Sequence, residues 1–310
     1  MLLAIGLLSG LVLLFFGGNW LVQGASRLAE SAGVSPLVVG LTIVAIGTSA
    51  PELIVSISAA LSGSADIAVG NVVGSNIANI GLILGLSALI YPVSVHVTML
   101  RREIPIMLFV TLLAVWMFND NTLTRGEGGV LLIGLVLFTA FMLVASRQEQ
   151  QTDGDASADQ PVTVGRLKEG MRTLVGMLLL VIGAQLTVSN ATELARNVGV
   201  SEVVIGITLV ALGTSLPELV TSITAAWRKQ SDIAIGNIVG SNIFNILGIL
   251  GVSALLQPIE IVQQVATVDA LVMLGFSMLL LPFVLDRVLG RIEGLGFLLG
   301  YMGFTLYAIS

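Results

Sequence analysis

The chain has 310 residues, 55% of them hydrophobic and only 10% charged, with a formal net charge of −6 and a mean hydropathy of +1.01. Soluble globular domains carry about 25% charged residues, so this composition excludes a water-compatible surface and suits lipid. Cysteine is absent, which excludes a disulfide framework, thiolate metal sites and cysteine nucleophiles. The few charges give no handle for steering a partner, and no nucleic acid is expected to bind.

A membrane span needs about 20 mainly apolar residues, and ten stretches fit. The first, 2–24, has no basic residue ahead of its apolar run and no clear small-x-small cleavage site after it, so it is predicted to be a retained helix and not a signal peptide. The second, 34–61, carries GTSAPE from Gly47 to Glu52 at its centre. Pro51 removes a backbone donor and clashes with the carbonyl four residues earlier, and Gly47 loosens the same turn. The helix is therefore predicted to break near Gly47–Pro51, freeing the carbonyls of about Ala45 to Thr48. Such exposed backbone is tolerated at that depth only where it lines a cavity or packs on protein. The third stretch, 66–91, holds Asn71, Ser75 and Asn79 at i, i+4 and i+8, one polar stripe on one helix face. Gly70 and Gly74 make an adjacent small-xxx-small stripe for close helix approach. The stretches 102–118 and 127–146 are plainly apolar.

The segment from 147 to 169 is the one long polar run. Asp153 and Asp155 resemble the start of a calcium loop, but the twelfth position is Val164 where a bidentate Glu is needed. It reads as a solvated linker between two five-span halves, 1–146 and 170–310. The second half continues with 170–193 and with 200–227, which carries GTSLPE from Gly213 to Glu218. Next, 232–256 repeats both stripes in Asn237, Ser241 and Asn245 and in Gly236 and Gly240; 265–285 and 291–309 close the chain.

Eleven of the 13 basic residues fall in alternate loops of this arrangement: Arg27; Arg101 and Arg102; Arg147, Arg166, Lys168 and Arg172; Arg228 and Lys229; Arg287 and Arg291. Positive charge stays on the cytoplasmic side, so both termini are expected outside. Residues 39–89 align with 205–255 at a constant offset of 166, and 32 of the 51 pairs are identical. Five spans, an odd number, separate each residue from its mate, so the copies are expected to be upside down relative to each other. Many secondary transporters are built this way, with the substrate at the midplane where the copies meet. Duplication kept for packing would preserve small and apolar positions, yet Thr48, Ser49, Glu52, Asn71, Ser75 and Asn79 find identical mates in Thr214, Ser215, Glu218, Asn237, Ser241 and Asn245.

A Glu in mid-bilayer costs a few kcal/mol. Ser49 and Glu52 also fit a capping box for the second half-helix, but a soluble-style cap hardly justifies that cost twice, at Glu52 and at Glu218. For Asn71 and Asn237, helix bonding and ligation stand as equal readings. Ser75, Asn79, Ser241 and Asn245 lie nearer the level of the breaks and are read as ligands. No His, Cys, Lys or Arg occurs in the four segments. A site of carboxylates, hydroxyls, amide oxygens and carbonyls suits hard cations such as Ca²⁺, Na⁺ and Mg²⁺, and two carboxylates balance one divalent ion.

The paired GTSxPE and GNxxGSNIxN motifs resemble the two alpha repeats of the calcium/cation antiporter superfamily, most closely its prokaryotic calcium/sodium antiporters and more distantly the animal sodium–calcium exchangers. The resemblance covers nearly the whole chain. It implies an all-α integral membrane protein of ten transmembrane helices in two inverted five-helix repeats, with helices 2 and 7 broken, in a prokaryotic plasma (inner) membrane. It implies Glu52 and Glu218 as central calcium ligands, joined by Thr48 and Thr214. Ala45, Ser49, Ser75 and Asn79 on one side, and Ala211, Ser215, Ser241 and Asn245 on the other, would form flanking sodium sites. The first and sixth spans would slide against a rigid core. No cofactor and no catalytic residue is implied; the partners are lipid and the transported ions Ca²⁺ and Na⁺, and a monomer suffices. One departure is Asn245, where potassium-dependent relatives and some archaeal members have Asp, which puts potassium dependence in doubt. The long regulatory loop of the animal exchangers is absent, so calcium-sensing domains are not implied. The expected function is exchange of several Na⁺ inward for one Ca²⁺ outward. Its rivals are proton/calcium exchange through the same carboxylates, a passive cation channel and a non-transporting scaffold. An enzyme is the least expected, because nothing resembles a nucleophile with its base.

Overall fold

In lipid a backbone has only itself to bond to, and the helix is the local form that satisfies it. A computed structural model describes residues 2–64, 66–153, 165–200 and 211–309, and nearly all of them are helical. The first half contains α1 (Leu2–Ala32), α2 (Pro36–Thr48), α3 (Ala50–Leu61), α4 (Asp66–Ile90), α5 (Met99–Asp120) and α6 (Arg125–Asp153). The second contains α7 (Arg166–Asn197), one helical turn α8 (Ala211–Gly213), α9 (Leu216–Trp227), α10 (Ser231–Leu256), α11 (Val265–Phe283) and α12 (Arg291–Ile309). Among the described residues seven helices, α1, α4, α5, α6, α7, α10 and α11, are long and apolar enough to cross a membrane. The pair α2 and α3, bent by 46°, is long and apolar enough when taken together to form an eighth. The protein is thus a multi-pass membrane protein. Of the two other predicted spans, 200–227 includes 201–210, outside the described residues, and 291–309 forms the 19-residue α12.

Helix enters the predicted 147–169 linker from both sides, because α6 runs on to Asp153 and α7 begins at Arg166. The Gln- and Glu-rich start of that run is made of good helix formers. The calcium-loop reading rests on Asp155 and Val164, which lie outside the described residues.

The most buried long helices are α4 and α10. Their apolar faces meet in the main core through Val72, Val73 and Ile77 on one and Ile238, Val239 and Ile243 on the other. The end of α10 packs on α6, and the end of α4 on α12. Two short antiparallel ladders tie loops of one half to loops of the other: β1 (Val93–Ser94) with β4 (Val288–Leu289), and β2 (Thr122–Leu123) with β3 (Ile259–Glu260). The 166-residue offset reaches beyond the matching letters. It relates β1 to β3 and β2 to β4, the π-helical turns Met99–Glu103 and Val265–Asp269, and the starts of α6 and α12.

Glycines set two close approaches. Gly236 and Gly240 receive α2, since a Cβ there would stand 3.0 Å from the Leu37 carbonyl and 2.5 Å from the Leu41 carbonyl. That is the predicted small-residue stripe; for its mate, Gly70 and Gly74, the segment equivalent to Gly40–Val44 falls within 201–210, outside the described residues. The second approach joins α1 to α7, which run antiparallel with Gly10 against Thr187 and Gly183, Gly17 against Leu180 and Gly176, and Gly24 against Thr173. At one end of this pair the buried Glu169 lies 3.6 Å from Arg27 and 3.8 Å from Arg172, and Arg172 also bonds Gln23.

Candidate cation-binding site

Pro51 and Pro217 each occupy the second position of a helix, α3 and α9, where a missing N–H is harmless. The breaks fall at Ser49 and at Thr214–Ser215, as the two motifs predict. Ser49 (φ −80°, ψ 9°) and Ser215 (φ −86°, ψ 7°) stand just before those helices, yet neither side chain caps one. Each hydroxyl is used across the halves. Ser49 donates to Glu218 Oε1 at 2.8 Å and has Ser241 Oγ at 3.0 Å. Ser215 donates to Glu52 Oε1 at 2.9 Å and has Ser75 Oγ at 3.3 Å. The capping box is therefore not formed, because its serines face the carboxylates of the opposite motif. The Ala45 carbonyl is not released by the break: it accepts the Ser49 N–H at 3.0 Å and lies 3.3 Å from Thr48 Oγ1. The predicted loosening starts after Ala45 because the proline acts on the carbonyl of Gly47, four residues before it. Ala211 opens the turn α8.

Of the two readings for Asn71 and Asn237, helix bonding is seen at both. Asn71 donates to the Glu52 carbonyl (3.2 Å) and Ser56 Oγ (3.0 Å), while Asn237 donates to the Glu218 carbonyl (3.5 Å) and Ser222 Oγ (3.0 Å). Asn237 Oδ1 also accepts the Thr48 hydroxyl at 3.0 Å. Their NH₂ groups fix the broken helices to α4 and α10, and in Asn237 the oxygen end is used as well.

Asn79 and Asn245 each open a π-helical turn, Asn79–Leu84 and Asn245–Leu250, a local widening that often marks a functional site. Asn79 Nδ2 donates to Asn242 Oδ1 and Asn245 Nδ2 to Asn76 Oδ1, both at 2.9 Å. Asn76 and Asn242 were not among the residues singled out from sequence, although they are identical mates within the repeated GSN triplet.

Thr48, Ser49, Glu52, Ser75, Asn79, Ser215, Glu218, Ser241 and Asn245 are all 5% exposed or less. Yet Glu52 Oε2, Glu218 Oε2, Asn79 Oδ1, Asn245 Oδ1 and Thr214 Oγ1 have no hydrogen-bond partner. A buried acceptor left unmade costs about 1–3 kcal/mol, and a bound cation is one way to satisfy those on the two carboxylates. Among the described residues no three His, Cys, Asp or Glu side chains cluster; the charge here comes from two carboxylates, with neutral oxygens around them. A cavity of about 340 Å³ reaches Pro51, Gly213 and Thr214 between α3 and α7, past Gln185 and Ser189.

The chain matches the family model described as sodium/calcium exchanger protein over residues 2–144 and 171–310. It is 40% identical over 310 residues to the putative antiporter CaxA of Alkalimonas amylolytica, covering 98% of this chain and 97% of that one. It is 36% identical to the sodium/calcium exchanger MaX1 of Methanosarcina acetivorans, covering 97% and 96%. Its fold is similar to that of the sodium–calcium exchanger NCX_Mj soaked with 10 mM Na⁺ and zero Ca²⁺, with a TM-score of 0.85, 34% identity and 97% of each chain covered.

Proposed function

The chain belongs to the sodium/calcium exchanger protein family, and we propose that it is a secondary active antiporter exchanging Na⁺ for Ca²⁺ across a prokaryotic inner membrane by alternating access. The observation that carries this reading is the pair of buried carboxylates at the two helix breaks, each with one oxygen held by a serine of the other half and one unpartnered. Glu52 and Glu218 neutralise one Ca²⁺, with Thr48 and Thr214 beside it. Ser49, Ser75 and Asn79, and Ser215, Ser241 and Asn245, complete oxygen sites for Na⁺. Ala211 joins through its carbonyl, and Ala45 through a carbonyl that already carries the Ser49 N–H.

In this reading the chain has ten helices in two inverted halves with both termini outside. The cavity beside Thr214 then opens on the outer half of the bilayer, and α1 with α7 is the pair that moves. Lifting Ca²⁺ out of an inside-negative cell costs roughly 4.6 kcal/mol per 100 mV for its two charges and about 1.4 kcal/mol per tenfold gradient, so a second ion must drive it. Calcium flux into proteoliposomes, with Na⁺, H⁺ or K⁺ gradients imposed in turn, tests this. A Na⁺ gradient should drive flux, and Glu52→Gln should abolish it while the protein stays folded. Flux driven by H⁺ alone would transfer the same carboxylates to proton exchange.

A further inference from the structure

An asparagine can turn either end of its amide toward a cation, and only the oxygen end is a ligand. Something must therefore decide which end Asn79 and Asn245 present. Asn76 Nδ2 donates to the main-chain carbonyl of Asn242 at 3.2 Å. A carbonyl can only accept, so this bond fixes the NH₂ end of Asn76 and turns its Oδ1 the other way. Asn245 meets that oxygen at 2.9 Å and must meet it with Nδ2. The Oδ1 of Asn245 is thereby left over, buried and without a partner. The other half runs the same sequence with a different anchor. Asn242 Nδ2 points to Met107 Sδ at 3.8 Å, a weak acceptor. Its Oδ1 accepts Asn79 Nδ2 at 2.9 Å, and Asn79 Oδ1 remains unpartnered. All four amides are at most 1% exposed, away from bulk water.

We propose that Asn76 and Asn242 are positioning residues: each locks the amide of the opposite half's asparagine so that Asn245 and Asn79 face the cation with oxygen. This rests on the cation-site reading above. It also explains how position 245 serves as a ligand without a carboxylate. An Asp shows oxygen whichever way it turns, whereas an Asn needs a lock.

The test measures ⁴⁵Ca²⁺ equilibrium binding and the Na⁺ concentration that displaces it, on purified full-length protein. Asn76→Leu removes the acceptor for Asn245 Nδ2, and affinity for at least one of the two ions should fall about tenfold to a hundredfold, as for other groups that orient a metal ligand. In an Asn245→Asp background the same Asn76→Leu change should alter affinity less than threefold, because a carboxylate needs no orienting. Asn76→Ser, too short to reach Asn245, serves as a second variant with the same expectation should the leucine not fold. An equal loss in both backgrounds, as a packing role requires, overturns the proposal, and so does unchanged affinity in the Asn245 background. A wild type that binds no Ca²⁺ overturns the site reading itself.

Discussion

A cage holding Ca²⁺ together with K⁺ would contain three positive charges against the two carboxylates of Glu52 and Glu218. An uncompensated charge in such surroundings costs several kcal/mol even after relaxation. An Asp at position 245 would supply the third negative charge; the amide of Asn245 supplies one unpartnered oxygen and a dipole. Sodium-driven calcium flux should therefore be unchanged when K⁺ is replaced by choline, and Asn245→Asp should alter the cation dependence. A strict K⁺ requirement in the wild type would mean that the missing charge comes from elsewhere. Glu52, Glu218, the serines and Asn79 with Asn245 were legible from the repeat, because polar identity at mid-span has no packing explanation. Asn76 and Asn242 are just as identical but lie off the i, i+4, i+8 stripe. Their bonds run between halves, and spacing along one helix cannot register a partner 163 to 169 residues away.

Among elements, the breaks could be read from sequence because proline deletes a specific hydrogen bond. The π-helical turns at Asn79 and Asn245 could not: nothing in NIGLIL or NILGIL forbids an ordinary helix. The antiparallel α1–α7 pair was also hidden, since its glycines are scattered through two long apolar runs. In the structure a Cβ at Gly176 would stand 2.5 Å from Leu21 N, and one at Gly183 would stand 2.9 Å from the Gly10 carbonyl. Those neighbours are backbone and cannot rotate away. Gly176→Val should therefore destabilise the protein by about 1–3 kcal/mol through overpacking, read as a lowered Tm in detergent. Gly303→Ala, at an exposed position of α12, should stay within about 0.5 kcal/mol of wild type. An unchanged Tm for Gly176→Val would show that α1 and α7 are not in backbone contact.

At the scale of the whole molecule the duplication was visible over only 51 residues of each half, although the elements keep the 166 offset to the start of α12. The reason is solvent. Many outer side chains, such as Phe109, Trp116, Leu271 and Met278, are exposed. Where such a face meets lipid, one apolar residue replaces another at little cost, so the letters diverge while the helices persist. The segments around the carboxylates are held by specific bonds and keep their letters. The same division bears on leak. With neither cation nor proton aboard, two ionised carboxylates would stand away from water at a cost of several kcal/mol per ion, so the empty, unprotonated carrier should rarely change sides. Vesicles loaded with ⁴⁵Ca²⁺ are expected to retain it in choline medium and to release it at least tenfold faster once Na⁺ is added outside. If more than two Na⁺ enter for each Ca²⁺ that leaves, an inside-negative potential clamped across the vesicle should speed that release, because net positive charge moves inward. Calcium escaping equally fast without Na⁺ would mean a conducting path, and the antiporter reading would give way to a passive channel.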